Sequence, residues 1–456
     1  GALRLQVRRF GQTRQQMLHL LADRDQRTPS TRAAIRSRYL KQLEHLLPRS
    51  FGDWKIDALR SSMDLEHSFG PAYARGLLVR GQSAWALIAV NAEESQATID
   101  GILTLGLLWL ARCRERANKA RNGQARHIEG LRVIVPEGHG AVTQLRMGWL
   151  DAAQAKWELY ECDTRGDELR ALEIGRNGNL EMRLLQNFDH ARALERLQAG
   201  IARVMALVPA GARERVQQRV HSASAVGLSL YGLEFARVQH GLAPGSFQRQ
   251  DRVTFGAGAN ETDLNEDTAP MLRELTARLF ESRHTAGSVR DPLYRMQPER
   301  WLESLLSTAL ENVDHSLLPA PVYRQVPAFA ASDRGMLDLL AVHRDGRLAV
   351  VELKADEDLH MVLQGLDYWI RVQRAAQPQG PDGLNDFTRS GYFPAMRLAQ
   401  TSPLLYFIAP ALRIHPATET ILGYLSREIE WNLVAVGEDW RRSLEVIWRK
   451  RGGGFA

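Results

Sequence analysis

From Thr31 onward the apolar residues Ile35, Tyr39, Leu40, Leu43 and Leu47 recur every three or four positions, which predicts a helix closed near Pro48. Three strand-like runs follow, Trp54 to Leu65, Tyr73 to Val79 and Ala84 to Val90, with the RGQS stretch as the turn between the last two. Ser95 can cap a long helix running to about Asn118. Its stretch from Gly101 to Cys113 is the most apolar in the chain, falls short of the ~18 residues needed to cross a bilayer, and reads as a buried helix. GLRVIVPEG from Gly130 is a buried strand, Val142 to Ala155 a helix and WELYECD from Trp157 a further strand. The order is αβββαβαβ.

The same order recurs near the C-terminus. Pro298 to Asn312 is predicted helical on Trp301, Leu302, Leu305 and Leu306. Val322 to Phe329, Met336 to His343 and Arg347 to Leu353 are strands, with RDGR as a hairpin turn. Asp358 to Gln373 is a helix, LLYFIAP from Leu404 a buried strand, Ala417 to Leu425 a helix and IEWNLVAVG from Ile429 a strand. Between the two copies, Asp189 to Val208 and Gly211 to Tyr231 are expected to be helical, the second carrying Arg213, Arg215 and Arg219. Gly241 to Asp267 lacks periodicity and contains GAGANETDLNED, so an interdomain loop is expected there. Met271 to Ser282 is a short amphipathic helix.

The chain therefore divides into an Arg-rich arm (1–30), a first α/β domain (31–165), a helical connector and linker (166–285) and a second α/β domain (286–456), each domain a mixed sheet flanked by helices. A hydrophobic content of 44% with 25% charged residues suits folded cores rather than disorder. Basic residues outnumber acidic ones by 59 to 53, a formal +6 that favours polyanionic partners. The two cysteines, Cys113 and Cys162, have neither disulfide-framework nor zinc spacing, which fits a reducing, cytoplasmic setting. The opening GALRLQVRRF has no secretory apolar region, and no membrane partner is expected.

Chemistry concentrates in GMLDLLAVHRDGRLAVVELKA, Gly335 to Ala355. Glu352 and Lys354 are two apart on one strand and share a face, while Asp338 lies on the partner strand of the hairpin, where it can approach them. Two carboxylates and an amine inside an apolar sheet are costly unless a cation or mutual pairing offsets them. Hard oxygen ligands beside an amine suit Mg²⁺ or Mn²⁺ acting on a phosphodiester, with the carbonyl of Leu353 as a further ligand. The histidines, His343 and His360 included, show no metal-binding grouping, and GAGAN at Gly256 lacks the Lys-Ser/Thr of a phosphate loop.

This pattern resembles the PD-(D/E)XK nuclease superfamily over about Asp291 to Gly437, with Asp338 at the first acidic position and Glu352-Leu353-Lys354 as ExK. NucS-type members have a similar run, and Gln364 to Tyr368 fits the QxxxY motif of RecB-like members, which places Gln364 and Tyr368 on one helical face above the metal. The resemblance implies two restriction-endonuclease-like αβββαβ domains, a metal-dependent deoxyribonuclease with RNA open as a substrate, and a role in repair, restriction or defence. It also implies a further carboxylate from the preceding helix, Glu303 first and Glu299 second.

Laid over the C-terminal hairpin, the N-terminal one places Arg75 at Asp338, Ala89 at Glu352 and Asn91 at Lys354, which predicts a catalytically dead copy. Arg75 and the basic run Arg112, Arg114, Arg116, Lys119, Arg121 and Arg126 are its candidate phosphate contacts; a solvated helix end is the alternative for the run. A non-catalytic nucleic-acid-binding protein or an assembly protein, homo-oligomeric or not, is the other reading.

Overall fold

The computed structural model describes residues 29–119, 126–163, 168–176, 184, 190–242, 249–258, 262–330, 333–379 and 381–454. The first part comprises α1 (Pro29–Phe51), β1 (Lys55–Arg60), β2 (Tyr73–Arg80), β3 (Ser83–Val90), α2 (Gln96–Asp100), α3 (Ile102–Lys119), β4 (His127–Pro136), α4 (Ala141–Met147), β5 (Lys156–Cys162) and β6 (Leu169–Leu172). The middle comprises α5 (His190–Arg196), α6 (Gln198–Leu207), β7 (Gln217–Ser222), β8 (Ala225–Leu230), β9 (Leu233–Leu242), β10 (Arg249–Phe255), β11 (Thr262–Asp263) and α7 (Ala269–Ser282). The last part comprises α8 (Pro292–Arg295), α9 (Pro298–Leu306), α10 (Leu310–Val313), β12 (Tyr323–Ala330), β13 (Asp333–Val342), β14 (Leu348–Leu353), α11 (Met361–Ala375), α12 (Asp386–Arg389), β15 (Leu404–Pro410), α13 (Thr418–Leu422), β16 (Trp431–Val436) and β17 (Val446–Gly452).

The chain is an α/β protein built on three sheets. The two outer sheets have the same plan: six strands in sequence order, joined antiparallel, antiparallel, parallel, parallel and antiparallel. Each contains one strand that the apolar pattern does not reveal, β6 and β17, because their sequences LRAL and VIWRKRG lack an apolar alternation. In the second sheet β14 is buried at all six positions, as a strand covered on both faces must be. Gly346, with φ +89°, makes the RDGR turn before it. Ser95 caps α2 by accepting from the Thr98 N–H, and Gly101 divides the long helix expected there into α2 and α3. Elsewhere α1 runs past Pro48 to Phe51, and α4 and α13 are shorter than their apolar patterns suggest.

The middle segment departs from expectation. Instead of a helix over Gly211 to Tyr231 and a loop over Gly241 to Asp267, an antiparallel five-stranded sheet forms in the order β11-β10-β9-β8-β7. The physical cause is a period of two that the arginines obscure: Val226, Leu228 and Leu230 alternate into the core formed with α6 and α7, as do Val253 and Phe255. The connector is therefore a small α/β unit. Arg283 at the end of α7 is fully buried and donates to the carbonyls of Leu230, Tyr231, Leu293 and Met296, which fastens this unit to the elements around α9. Gly232 (φ +74°) approaches the Arg300 carbonyl so closely that a Cβ would stand 1.9 Å from it, and Tyr231 stacks on Trp301 at 4.7 Å.

The outer sheets face each other across a shared helical layer. One continuous core joins Ile88, Leu107 and Val133 of the first to Val350, Leu366 and Phe407 of the second. The contact is reciprocal, as in a twofold interface: α3 meets α13 while α11 meets α4. At its centre Leu150 bridges Leu425, with the Asp151 N–H donating to the Tyr424 carbonyl (2.9 Å) and the Ser426 N–H to the Trp149 carbonyl (2.8 Å). Arg146 holds Asp367 with two bonds of 2.9 and 2.7 Å and also donates to the Asp100 carbonyl. Because Arg146 is buried, its replacement by Ala leaves Asp367 without its cation; a loss of about 3 kcal/mol is expected in urea unfolding, and little further loss when Asp367→Ala is added.

Candidate active site

β13 and β14 bring Asp338, Glu352 and Lys354 together. Cross-strand pairs such as Leu339 with Val351 extend to set Asp338 opposite Glu352. The Leu353 N–H donates to Asp338 Oδ2 (2.9 Å), Lys354 Nζ lies 3.2 Å from Glu352 Oε1, and Asp358 just beyond the strand holds the same amine at 3.3 Å. Glu352 is 3% exposed, and its Oε2 is buried with no hydrogen-bond partner. A carboxylate oxygen in that condition is strongly unfavourable unless protonated or bound to a cation.

The electrostatics follow from that burial. Desolvation, with repulsion from Glu303 and Glu299, pushes the Asp338 carboxyl up to about 7, against the opposing Leu353 N–H and Lys354 charge. Burial and the Asp338 charge raise Glu352 well above the ordinary carboxylate range. Burial alone would lower Lys354, but Glu352, Glu299 and Asp358 together raise it, so the ammonium stays charged. Burial thus holds both acids of the pair above the ordinary carboxylate range, and the Asp338 charge adds to the effect on Glu352.

α11 covers the face of β14 that carries Glu352. Burial raises the Tyr368 hydroxyl, and so do the Glu352 and Asp338 charges, so Tyr368 lies within electrostatic reach of both carboxylates. Gln364 stands one turn earlier on the same face, and its Oε1 is buried without a partner. His360 instead bonds Thr104 of α3 (3.0 Å) and belongs to the joint between the outer sheets, while His343 pairs with Asp345 in the hairpin turn.

The two candidate carboxylates of α9 differ. Glu303 is 1% exposed and committed to cations and an amide: Arg324 on Oε1 (2.8 Å), and Arg300 (2.9 Å) and Gln325 (2.6 Å) on Oε2. Glu299 is exposed and acts on all three of Asp338, Glu352 and Lys354. Of the two it is the one free to join them. Gln325 escapes sequence reasoning: flanked by the pairs Arg324 with Leu339 and Val326 with Leu337, it stands beside Asp338, and its φ of +52° in mid-strand turns its amide toward Glu303.

Among the described residues, the N-terminal copy has no such cluster. Arg75 pairs with Ile88 as Asp338 faces Glu352, and Ile88 packs toward α3 as Val350 packs toward α11. Aligned by pairing, Ile88 and Val90 stand at the Glu352 and Lys354 positions, one residue away from the expected Ala89 and Asn91; Ala89 faces α1 instead. Arg75 is fully buried, over the Phe69 ring at 4.6 Å and donating to the Ser62 carbonyl, so it presents no open phosphate contact. In the basic run, Arg112 and Lys119 both pair with Glu115, Arg114 donates to the Gln154 carbonyl, Arg126 pairs with Asp57, and Arg116 is exposed beside Trp109. Arg121 lies outside the described residues. Cys113 and Cys162 are both buried and neither is in a disulfide, and no described helix is long and apolar enough to cross a membrane.

One group of three ligand-type side chains converges within 4.8 Å among the described residues, Asp64, Glu66 and His67, all on a single short turn. His67 is bonded to Asp64 at 2.9 Å, so the group is locally satisfied. No family model matches the chain, and no curated protein matches it.

Proposed function

We propose that the chain is a divalent-cation-dependent nuclease that hydrolyses phosphodiester bonds in DNA, with a restriction-endonuclease-like C-terminal domain as its catalytic unit. The observation that carries this reading is the buried, unpartnered Glu352 Oε2 facing Asp338 beside a charged lysine. The donor set fits a hard cation: Asp338, Glu352 and the Leu353 carbonyl would hold Mg²⁺ or Mn²⁺, with Glu299 rather than Glu303 as the fourth oxygen source. When bound, the cation polarises a phosphoryl oxygen and lowers the pKa of an attacking water.

The chain's own residues supply the rest. Lys354, anchored between Glu352 and Asp358, orients the water and stabilises the charge that develops on the phosphate as the new P–O bond forms and the leaving oxygen departs. Tyr368 and Gln364 wall the site from α11 and limit water. The first domain, with Ile88 and Val90 where the acid and the amine would be, serves as a non-catalytic partner fused to the active one.

Cleavage of plasmid, linear and single-stranded DNA by the full chain, in Mg²⁺ and in EDTA, tests this reading. Nicking or degradation in Mg²⁺ that EDTA stops is expected; equal outcomes in both buffers would remove it. The α9 carboxylates make a separable prediction. Glu299→Gln should slow cleavage on the order of 10-fold or more with the fold intact, as expected of a site-shaping carboxylate. Glu303→Ala should instead lower thermal stability, by about 3 kcal/mol, because Arg300 and Arg324 lose their shared partner.

A further inference from the structure

A cavity of about 300 Å³ lies where the middle sheet meets the catalytic sheet, between their edge strands β7 and β12. That volume is in the range of ligand pockets. Arg219 and His221 of β7, with His190 of α5, form one wall; Tyr323 and Arg324 of β12, with Tyr392, form the other. No Asp or Glu is among the described lining residues. Burial lowers Arg219 to about 10, still charged at neutral pH. Arg300 and Arg324 both bond the Glu303 carboxylate, and Arg219 is acted on first by that carboxylate and then by Glu234, which already pairs with His221 and Arg237, so the arginines outnumber the two carboxylates there.

The aromatic wall is ordered. Tyr323 and Tyr392 meet at 4.7 Å with their rings inclined at 63°, and the Tyr323 hydroxyl accepts from the Phe393 N–H (3.0 Å). The cavity adjoins the catalytic hairpin: Met336 lines it two residues before Asp338 in β13, and Gln325 lines it while bonding Glu303. Fixed cations facing tyrosine rings are what an unpaired nucleotide requires, the phosphate meeting the arginine and the base lying on the ring. A nucleotide held in a duplex cannot enter a slot between two sheet edges.

We propose that this cavity binds one nucleotide of an unpaired DNA strand, next to the bond to be cut, so that the substrate strand is single-stranded at that point. The inference rests on the nuclease reading for its purpose, but its test reads binding without cleavage. Anisotropy of a fluorescein-labelled oligothymidylate with the full chain in EDTA is compared for the wild type and for Arg219→Glu and Arg219→Gln, with a duplex of equal length as the second probe.

Single-strand affinity is expected to fall at least 10-fold in Arg219→Glu and less in Arg219→Gln, with a log–log salt slope reduced by about 1 in either, and duplex affinity is expected to change little. A photocrosslink from a 5-bromodeoxyuridine oligomer to the wild type, mapped to Tyr323 or Tyr392, is the outcome that survives should the Arg219 variants fold poorly. Unchanged single-strand affinity in folded variants, an equal loss for duplex, or crosslinks confined to other surfaces would overturn the proposal. Arg219-dependent binding by a protein that never cleaves in Mg²⁺ would overturn the nuclease reading and leave the cavity standing; cleavage with no Arg219 dependence would do the reverse.

Discussion

Replacing Glu352 with Gln is expected to lower the rate of DNA cleavage on the order of 10³-fold or more while DNA binding in EDTA changes less than about threefold. The substitution keeps the shape of a side chain that is 3% exposed, so the fold should not suffer. It removes one of the two charges on which a divalent cation depends, and it neutralises the partner of Lys354 Nζ 3.2 Å away. Affinity should be spared, because nucleic-acid affinity generally comes from phosphate contacts distributed over a wider surface. Lys354→Ala should match this loss of rate, since Asp338 and Glu352 alone cannot orient the attacking water. Single-turnover cleavage and anisotropy on the same preparations check both statements. A Glu352→Gln protein that cleaves at the wild-type rate would mean that the hairpin is not the site of chemistry.

The second large effect concerns stability in the absence of a cation. The Asp338 carboxyl, raised to about 7 chiefly by burial, holds its proton in the folded chain over a range in which the unfolded chain has released it, and Glu352 acts in the same direction. An acid whose folded pKa exceeds its unfolded one contributes stability below the unfolded value, near 4, and loses it as pH climbs through the folded value. In EDTA the melting temperature should therefore fall between pH 5 and 8 by several degrees more in the wild type than in Asp338→Asn. Asp338→Asn should be the more stable protein at pH 8, by roughly 2 kcal/mol, because a buried like charge has gone. Mg²⁺ should abolish most of the difference by taking the proton's place. Parallel melting curves for the two proteins across this range would contradict the electrostatics of the site.

Much of this was legible in the sequence because the outer sheets obey simple periodicities. Apolar runs such as LLYFIAP and LAVVEL can only be strands covered on both faces, and in LAVVEL and the lysine just beyond it a lone acid and an amine are conspicuous. Asp338 was legible for the same reason. The middle sheet was not, because arginines at 213, 215 and 219 suggest a helical surface while the alternation that matters, Val226, Leu228 and Leu230, is short and lies among small residues. Sequence spacing alone favoured Glu303 over Glu299; only the arrival of Arg300, Arg324 and Gln325 from neighbouring elements shows that Glu303 is already committed. Arg75 illustrates the same limit. Its position opposite Ile88 follows from the hairpin, but its enclosure by Phe69 and Trp109 depends on a loop and a helix that no local pattern links to it. The reciprocal contact at Leu150 and Leu425 was equally hidden, since it joins residues 275 apart in the chain, from 150 to 425.

Manganese located by anomalous scattering decides the assignment. Crystals of the Lys354→Ala chain, grown with a short oligonucleotide and soaked in Mn²⁺, should show a peak bounded by Asp338, Glu352 and the Leu353 carbonyl, with a phosphate oxygen completing its coordination. A peak only at Asp64, Glu66 and His67, or no peak beside Glu352 in crystals that hold the oligonucleotide, would contradict it.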